Sequence, residues 1–398
     1  MQGGYIRHLA RVCRCYSKHS IPPEPLGGKK TYSHLECQFK MAGWQIHNYG
    51  NTEELQYTTG LRIPQIRRAS DCLVRVYATA VNPIDVAMLG GYGSKILNKL
   101  RCKISNAIEF PLILGREFCG EVIQCGMAVN KKASLGDRVW GVVPLEKNGS
   151  HAQYVVVPDY CISPAPQSLS NEQVASVLYA GLTAWSGLYI TGRIGGFCDS
   201  LSSAGGRARK RILVIGGSGS VGSLAIQILK SQKATVFATC SKEAFELVRN
   251  LGADFVVDYK NTEELEALHR HAPFDIVLDC AGQGTEHATH IKFKFGQYIT
   301  FSSPLVRNMD DFGVALGMIK NITEVVESNS KTLYAKVGTI KWGFFTPAPQ
   351  GMEMLSKLVE RNKLLPLIDS SFTFEQLPQA YEKVQHGHLR GKVVITVS

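Results

Sequence analysis

Residues 211–241 have the sequence RILVIGGSGSVGSLAIQILKSQKATVFATCS, and this stretch decides the fold. The apolar run Ile212–Ile215 predicts a short buried parallel strand, and Gly217, Gly219 and Gly222 follow it as G-x-G-x-x-G. Apolar residues then recur at helical spacing, and a second apolar run follows them. A strand, glycine turn, helix and second strand form the unit that binds a dinucleotide, with the pyrophosphate at the helix N-terminus.

The residues after the second strand bear on which dinucleotide is bound. NAD sites usually place Asp or Glu about twenty residues past the glycines, where the carboxylate binds the ribose hydroxyls. This chain has Thr239, Cys240, Ser241 and Lys242 there. A carboxylate would repel a 2′-phosphate, whereas a hydroxyl and an ammonium group attract it. We therefore expect NADPH rather than NADH. Lys242 is explained equally well as a solvated helix residue that does not touch the cofactor.

Length and composition indicate a soluble protein of more than one domain. The 398 residues suffice for two domains, and 44% hydrophobic and 19% charged residues are ordinary values. No uninterrupted apolar stretch approaches the roughly 18 residues of a membrane helix, so no transmembrane segment is expected. The 11 cysteines form no C-x-x-C pair, which argues against a zinc ribbon or a thioredoxin-type site.

The N-terminal segment holds much of the formal net charge of +11. Its first 30 residues contain six Lys or Arg and a single acid, Glu24. On a helical wheel Arg7, Arg11, Arg14 and Lys18 share one face, opposite an apolar one. This composition predicts a mitochondrial transit peptide and linker over residues 1–40. A basic tail that binds nucleic acid is the alternative, but its pattern does not continue into the body, so no nucleic acid is expected.

Hydrophobic patterning divides the remainder into two predicted domains. Residues 41–185 form a β-rich domain that residues 346–398 complete, and residues 186–345 form a doubly wound parallel sheet. The helical segment Asn171–Tyr189 is expected to bridge them, and residues 192–210 form a loop. The predicted strands of the first domain are Trp44–Ile46, Cys72–Val81, Phe118–Gln124, Arg138–Val143 and Ala152–Val157. Those that follow the glycine turn are Ala234–Thr239, Phe255–Asp258, Phe274–Asp279, Gln297–Phe301, Phe372–Phe374 and Lys392–Val397.

A series of short motifs runs through the chain in a characteristic order. They are VNPID from Val81, LGREFCG from Leu114, GDRV from Gly136, LTAW from Leu182, LGAD from Leu251 and GHLRGK from Gly387. With the glycine turn they resemble the zinc-independent quinone oxidoreductase branch of the medium-chain dehydrogenase/reductase family, over residues 41–398. The resemblance implies an α/β protein with a GroES-like β-rich catalytic domain and a Rossmann domain.

The same resemblance carries expectations about function. It implies an NADPH-dependent enzyme of the mitochondrial matrix that transfers hydride to a quinone or an activated alkene or carbonyl and is connected with ubiquinone synthesis. It also implies a reticulon-family or mitochondrial protein as a partner. An enoyl-thioester reductase, with Lys95, Lys99, Arg101 and Lys103 as a basic mouth, and a nucleotide-binding scaffold with little catalysis stay open as alternatives.

Two positions depart from the zinc-dependent relatives. Those enzymes bind catalytic zinc through a Cys at the position of Asn82 and a His at the position of Arg116, and neither residue present here replaces those ligands. Their four-cysteine lobe is also missing, so no metal is expected. Without a Lewis acid, the acceptor oxygen must be polarised by hydrogen bonds.

The resemblance also implies which residues bind cofactor and acceptor. The residues expected to touch NADPH are Ser218, Gly219, Ser220, Val221, Gly222, Ser241, Tyr259, His388, Leu389 and Arg390. Hydroxyls of Ser241 and Tyr259 would bind the 2′-phosphate, and Arg390 or Lys392 would add charge.

For the acceptor, Asn82 and Tyr92 are the candidate hydrogen-bond donors. Asn82 can instead cap the turn before Pro83, Asp85 is best explained as fixing that turn, and Arg116 with Glu117 is expected to form a structural pair.

Overall fold

The structure is a computed structural model that describes residues 40–105, 109–129, 133–194 and 209–397. The predicted transit peptide therefore lies outside the described residues, as does most of the predicted loop 192–210. Fifteen strands are described: β1 (Lys40–Gln45), β2 (Gln56–Arg62), β3 (Asp71–Val81), β4 (Glu117–Cys125), β5 (Arg138–Val142), β6 (Tyr154–Pro158), β7 (Ile162–Pro164), β8 (Arg211–Ile215), β9 (Thr235–Cys240), β10 (Phe255–Asp258), β11 (Phe274–Asp279), β12 (Phe295–Thr300), β13 (Thr339–Trp342), β14 (Ile368–Thr373) and β15 (Lys392–Thr396).

Helices connect most of the later strands. The described α-helices are α1 (Pro83–Leu89), α2 (Ser94–Ser105), α3 (Asn171–Ala175), α4 (Leu178–Trp185), α5 (Ser220–Ser231), α6 (Phe245–Asn250), α7 (Thr262–Ala267), α8 (Gly284–His290), α9 (Leu305–Tyr334), α10 (Pro349–Glu360) and α11 (Leu377–His386). A π-helical turn, Ser186–Thr191, continues α4.

The second half of the chain forms a six-stranded parallel sheet. Its order is β10-β9-β8-β11-β12-β13, so the chain starts in the middle, runs to one edge and then crosses to the other. This is the strand order of a Rossmann sheet, which places the ligand crevice at the carboxyl ends of the central strands. The predicted α/β fold with a doubly wound parallel sheet is confirmed.

The first half of the chain forms a seven-stranded sheet that the C-terminus completes. Its order is β14-β15-β3-β4-β5-β7, with β6 also paired to β3. β15 lies antiparallel to β3 and parallel to β14. The return of the C-terminal strands to this sheet agrees with the sequence prediction. The domain boundaries themselves stay a prediction.

The segment Asn171–Tyr189 differs from its prediction as one helix. It is broken at Ser176 into α3 and α4, and α4 packs against α5, so it does join the two sheets. The stretch Asn171–Thr191 has the length and hydropathy of a membrane span, which the sequence reading missed, but 72% of it is buried inside the fold. That burial is typical of a core helix.

Candidate functional site

The glycine turn has the geometry of a phosphate cradle. Gly216 has φ +81°, and Gly219 is the N-cap of α5 with no side chain capping the helix. A Cβ at Gly222 would lie 2.1 Å from the carbonyl oxygen of Gly216, so only glycine lets the turn fold back on the helix. The uncapped N-terminus leaves the first amides of a 12-residue helix for an anion, which fits a dinucleotide pyrophosphate.

The end of β9 forms the second part of the nucleotide crevice. The carbonyl oxygen of Thr239 accepts hydrogen bonds from the amides of Gly216 and Gly217, at 3.2 and 2.8 Å, which ties the glycine turn to β9. The amide of Tyr259 donates to Cys240 at 3.2 Å, so Tyr259 lies beside Ser241. Its half-exposed ring has the Lys260 ammonium 5.8 Å from its centroid.

Glu243 is a charge at this site that the sequence reading did not include. A hydrogen bond with Ser241 lowers the pKa of the Glu243 carboxyl, and the positive charges of Lys260 and Arg390 lower it further. The Ser241 hydroxyl and the charges of two cations therefore act on one exposed carboxylate. Glu243 directly follows the four residues, Thr239–Lys242, in which the NAD fingerprint leads one to look for an acid, so the search stopped one residue short of it.

A C-terminal loop, residues 387–391, lies against the glycine turn. The Ser220 hydroxyl donates to the carbonyl oxygen of Gly391 at 2.5 Å. Gly387, His388 and Gly391 all have positive φ, and the amide of Arg390 donates to Asp369 Oδ1 at 2.8 Å. The structure thus brings the predicted cofactor residues His388, Leu389 and Arg390 to the N-terminus of α5.

Immediately after this loop, Lys392 enters a buried polar cluster with Asn82 and Glu117. The Lys392 ammonium lies 2.5 Å from Asn82 Oδ1 and 2.6 Å from Glu117 Oε1. Asn82 Nδ2 donates to the same Glu117 oxygen at 2.8 Å. Glu117 Oε2 accepts from the amide of Tyr179 at 2.9 Å. All three residues are 2% exposed or less, so the cluster has a fixed orientation.

A second ion pair, Asp85 with Arg116, supports the loop that carries Asn82. Asp85 accepts from the amides of Asn82 at 2.8 Å and Gly115 at 3.0 Å, and Arg116 Nε lies 3.6 Å from Oδ1. Burial raises the pKa of Asp85, although Arg116 and the two amides oppose that shift. The prediction that Asp85 fixes the turn is confirmed, because its carboxylate accepts from the Asn82 amide at the start of α1.

Tyrosines lie beside the cluster. Tyr179 stacks on Phe345, with ring centroids 4.1 Å apart, and burial raises the pKa of its hydroxyl. Burial also raises the pKa of Tyr92, followed by the charge of Asp310, while Arg307 lowers it. Both hydroxyls are therefore protonated donors at neutral pH. Tyr92 influences the Tyr179 hydroxyl electrostatically, so the two are near one another.

Three expectations about charged residues were wrong. Arg116 and Glu117 do not pair, because neighbours at the start of a strand point to opposite faces and each has its own partner. Lys392 is bound to Glu117 and Asn82 and is not available to a 2′-phosphate. Arg101 is 4% exposed, with its guanidinium on the carbonyls of Leu145 and Glu146, so it is no part of a basic mouth.

The pairing of Glu117 with Lys392 was missed, although the sequence contains a signal for it. Each is a charge at the first position of a largely apolar strand, in EFCGEV and KVVIT. A charge in such a place is rarely buried without a partner. Within the residues that the structure describes, no group of three or more His, Cys, Asp or Glu side chains is placed to bind a metal ion.

Two family models match this chain, one in each of the two sheet-forming parts. Residues 68–167 match the alcohol dehydrogenase GroES-like domain, and residues 251–395 match the zinc-binding dehydrogenase domain. Among solved structures, the quinone oxidoreductase from Coxiella burnetii is similar, with a TM-score of 0.68 and 27% identity over 90% of this chain and 100% of that one.

Relatives of known name cover nearly the whole chain. One from Drosophila melanogaster, the mitochondrial NAD(P)H oxidoreductase RTN4IP1, is 60% identical over 98% of this chain and 95% of its own length. Its human counterpart of the same name is 39% identical over 90% of this chain and 89% of its own length. The chain therefore belongs to the medium-chain dehydrogenase/reductase superfamily, in the same family as these oxidoreductases.

Proposed function

We propose that this protein is an NADPH-dependent oxidoreductase of mitochondria that transfers hydride to a quinone or to an activated alkene or carbonyl. The observation that carries the proposal is the continuity between Lys392 and the cofactor loop. Ser220 at the nucleotide crevice binds Gly391, and the next residue, Lys392, holds Asn82. The cofactor residues and the acceptor residues are thereby positioned by one short segment.

The bound nicotinamide supplies the hydride, so the protein's task is to orient the acceptor and polarise its oxygen. The Asn82 amide has two N–H groups, of which one donates to Glu117. We assign the other to the acceptor oxygen. The Lys392 ammonium at the amide oxygen strengthens that donor, because positive charge there draws electrons from the nitrogen. Glu117 keeps the amide from turning.

Tyr92 is proposed as a second donor to the acceptor. Its raised pKa keeps the hydroxyl protonated, so it can polarise an oxygen in the way that oxyanion-hole donors do. Polarisation by Asn82 and Tyr92 is the role that zinc has in the metal-dependent relatives. We therefore propose that this chain works without a catalytic metal.

The choice of NADPH is supported by the groups around Ser241. The hydroxyls of Ser241 and Tyr259 and the charges of Lys260 and Arg390 suit a 2′-phosphate. The Glu243 carboxylate forms a hydrogen bond with Ser241 and feels the charges of Lys260 and Arg390. The 2′-phosphate of NADPH must therefore displace that carboxylate from Ser241 and from both cations. The remaining proposed cofactor residues, Ser218, Gly219, Ser220, Val221 and Gly222, would bind the pyrophosphate through backbone amides.

The cellular setting is proposed from the relatives and the N-terminus together. The relatives described above are named mitochondrial, and residues 1–40 have the composition of a transit peptide. These features support a place in the matrix, and we propose ubiquinone synthesis as the setting of the quinone acceptor. A relative from Caenorhabditis elegans named reticulon-4-interacting protein, 34% identical, supports a reticulon-family partner.

A second candidate, an enoyl-thioester reductase, is favoured by one pocket. It has a volume of about 600 Å³ and lies along α2, where Lys95, Lys99 and Lys103 outnumber the one acid that lines it, Glu109. Three lysines at one pocket would attract the phosphate of an acyl carrier. A quinone acceptor is preferred over a thioester because a solved quinone oxidoreductase is 27% identical to this chain.

The test is oxidation of NADPH and NADH by the purified protein with ubiquinone analogues and enoyl thioesters as alternative acceptors. Quinone-dependent oxidation of NADPH is expected, and Asn82→Ala should lower kcat by about 100- to 1,000-fold with NADPH affinity retained. Tyr92→Phe is the milder companion variant. Oxidation with thioesters alone would favour the second candidate, and NADPH binding without oxidation of either acceptor class would leave a nucleotide-binding scaffold.

A further inference from the structure

Strands β3 and β4 hold two cysteines that the proposed function does not use. The register of this antiparallel pair places Cys72 directly opposite Cys125. Among the cysteines in the described part of the chain, no other two are matched across a pair of strands. Cys119 is also on β4 but is matched with Ala78, six positions from Cys72, which at 3.3 Å per residue is about 20 Å along the strand. Cys72 therefore has one thiol neighbour on β4, and that neighbour is Cys125.

The backbone hydrogen bonds around the two cysteines bring their side chains close together. The amide of Gly126 donates to the carbonyl oxygen of Asp71 at 2.9 Å, one position outside each cysteine. This bond makes Cys72 and Cys125 a non-hydrogen-bonded pair, the kind in which opposite Cα atoms are about 4.5 Å apart and the side chains are closest. Disulfides have Cα separations of about 4.4–6.8 Å. The strand register thus already has the separation that a disulfide needs.

The two thiols differ in their access to solvent. Cys72 is 0% exposed and belongs to the core, whereas Cys125 is partly exposed at the last position of β4. Burial raises the pKa of the Cys72 thiol to about 12, and Cys125 raises it further through its charge and a hydrogen bond. An oxidant that arrives from solvent therefore meets the Cys125 sulfur first. Cys72 lies behind it at hydrogen-bond distance, where a second thiol can react with an oxidised sulfur.

We propose that Cys72 and Cys125 are an oxidation site, at which a peroxide converts the two thiols into a disulfide between β3 and β4. In the first step the Cys125 sulfur attacks one oxygen of hydrogen peroxide, the O–O bond breaks, and the other oxygen leaves as water with the thiol proton. In the second step the Cys72 sulfur attacks the sulfenic sulfur of Cys125, and the hydroxyl leaves as water with the Cys72 proton. Two thiols and one peroxide thus give one disulfide and two waters.

The disulfide joins the two strands that position the buried polar cluster. Asn82 directly follows β3, and Glu117 is the first residue of β4. Both cysteines are at the opposite end of these strands, about 25–30 Å away at 3.3 Å per residue. The disulfide therefore cross-links the sheet without contact to the cluster, and the proposal does not depend on which acceptor the protein reduces.

The first test is peptide mapping by mass spectrometry of the full chain, treated with hydrogen peroxide and then alkylated. Trypsin releases Cys72 in residues 69–75 and Cys125 in residues 117–131, which also contain Cys119. We expect these two peptides to be linked through Cys125, with Cys119 alkylated, and dithiothreitol should separate them. A link through Cys119, or Cys72 and Cys125 both alkylated, would overturn the proposal. Sulfinic acid at Cys125 without a link would also overturn it, because Cys72 would then have failed to react.

Oxidation in urea is the control for the role of the fold. The unfolded chain has no strand register, so Cys72 should link to Cys119 and to Cys125 in similar amounts there. In the folded protein the link to Cys125 should exceed the link to Cys119 at least tenfold, because Cys119 is too far from Cys72 for a disulfide. The same mixture of links with and without urea would mean that the register does not direct the oxidation, and it would contradict the proposal.

Thermal unfolding measures the effect of the disulfide on the folded protein. Oxidised wild type should unfold roughly 3–8 °C above the reduced protein, because the cross-link constrains a long loop of the unfolded chain. Cys125→Ser should lose this increase, and it should stay folded because the side chain is partly exposed. Cys102→Ser, an exposed position on α2, is the matched control and should keep the increase. An increase that Cys125→Ser retains, or none in wild type, would overturn the proposal.

Discussion

The glycine turn and the buried polar cluster together make up the proposed redox site, yet they are built in different ways. The turn, its strand and its helix are formed by consecutive residues between 211 and 231. The cluster joins Asn82 to Lys392, which are 310 positions apart in the chain. The first therefore depends on backbone conformation, and the second depends on burial of charges that meet only in the folded protein. Substitutions should affect the two regions differently.

Removal of the Lys392 charge should have the largest effect on stability. Lys392→Met leaves the Glu117 carboxylate buried without its cation, and breaking a buried ion pair in this way costs about 3–5 kcal/mol. The free energy of unfolding, measured by urea denaturation, should fall by that amount. The double variant Lys392→Met/Glu117→Gln should recover part of the loss, because the unpaired charge is gone. A fall of less than about 1 kcal/mol in the single variant would mean that the pair is not buried as described.

Gly222→Ala should disturb the turn and leave the cluster unchanged. The new Cβ would lie 2.1 Å from the Gly216 carbonyl oxygen, so the backbone must shift at a cost of about 2–3 kcal/mol. NADPH affinity, measured by fluorescence titration, should fall at least tenfold. Gly60→Ala is the control, because nothing lies within 4 Å of a Cβ built there. Unchanged NADPH affinity in Gly222→Ala would separate this turn from the cofactor.

His151 makes the β-rich half sensitive to acid. It is fully buried, and burial lowers the pKa of its imidazole to about 3. The hydrogen bond with the Ala80 carbonyl raises this pKa, and the positive charge of Arg116 lowers it. Because the unfolded chain binds a proton near pH 6.5 and the folded one does not, stability is complete above that pH and is lost as pH falls toward 3. At pH 5 the loss is about 2 kcal/mol.

Urea denaturation at pH 7.5 and pH 5 measures that loss. His151→Gln removes the titrating group and should show a smaller decrease between the two pH values, whatever its own stability. The Tyr381 hydroxyl bonds to Nδ1 at 3.1 Å, so Tyr381→Phe tests whether this contact contributes. Equal decreases in wild type and His151→Gln would assign the acid sensitivity to carboxylates elsewhere.

The same division explains what the sequence could predict. The strands of the parallel sheet, the glycine turn and the β character of residues 392–397 follow from local apolar runs and spacing, which a linear sequence displays. The partners of Arg116, Glu117 and Lys392 do not, because burial and long-range pairing decide them. Asn82 and Arg116 stand where the zinc-dependent relatives have zinc ligands, so the sequence argued against a zinc site. It gave no indication that Lys392 and Glu117 would both bind the Asn82 side chain.

Arg390 tests the place where the two regions meet, and its effect should be the smallest. Its side chain is exposed and its backbone is fixed by Asp369, so Arg390→Ala should leave stability unchanged. Loss of one cation near Ser241 should weaken NADPH roughly three- to tenfold and leave NADH unaffected, because only NADPH has the 2′-phosphate. Arg361→Ala, at the end of α10, is the control for removal of an exposed arginine. If both cofactors weaken equally, the 387–391 loop binds the part that they share, and the preference for NADPH must then come from Ser241, Tyr259 and Lys260.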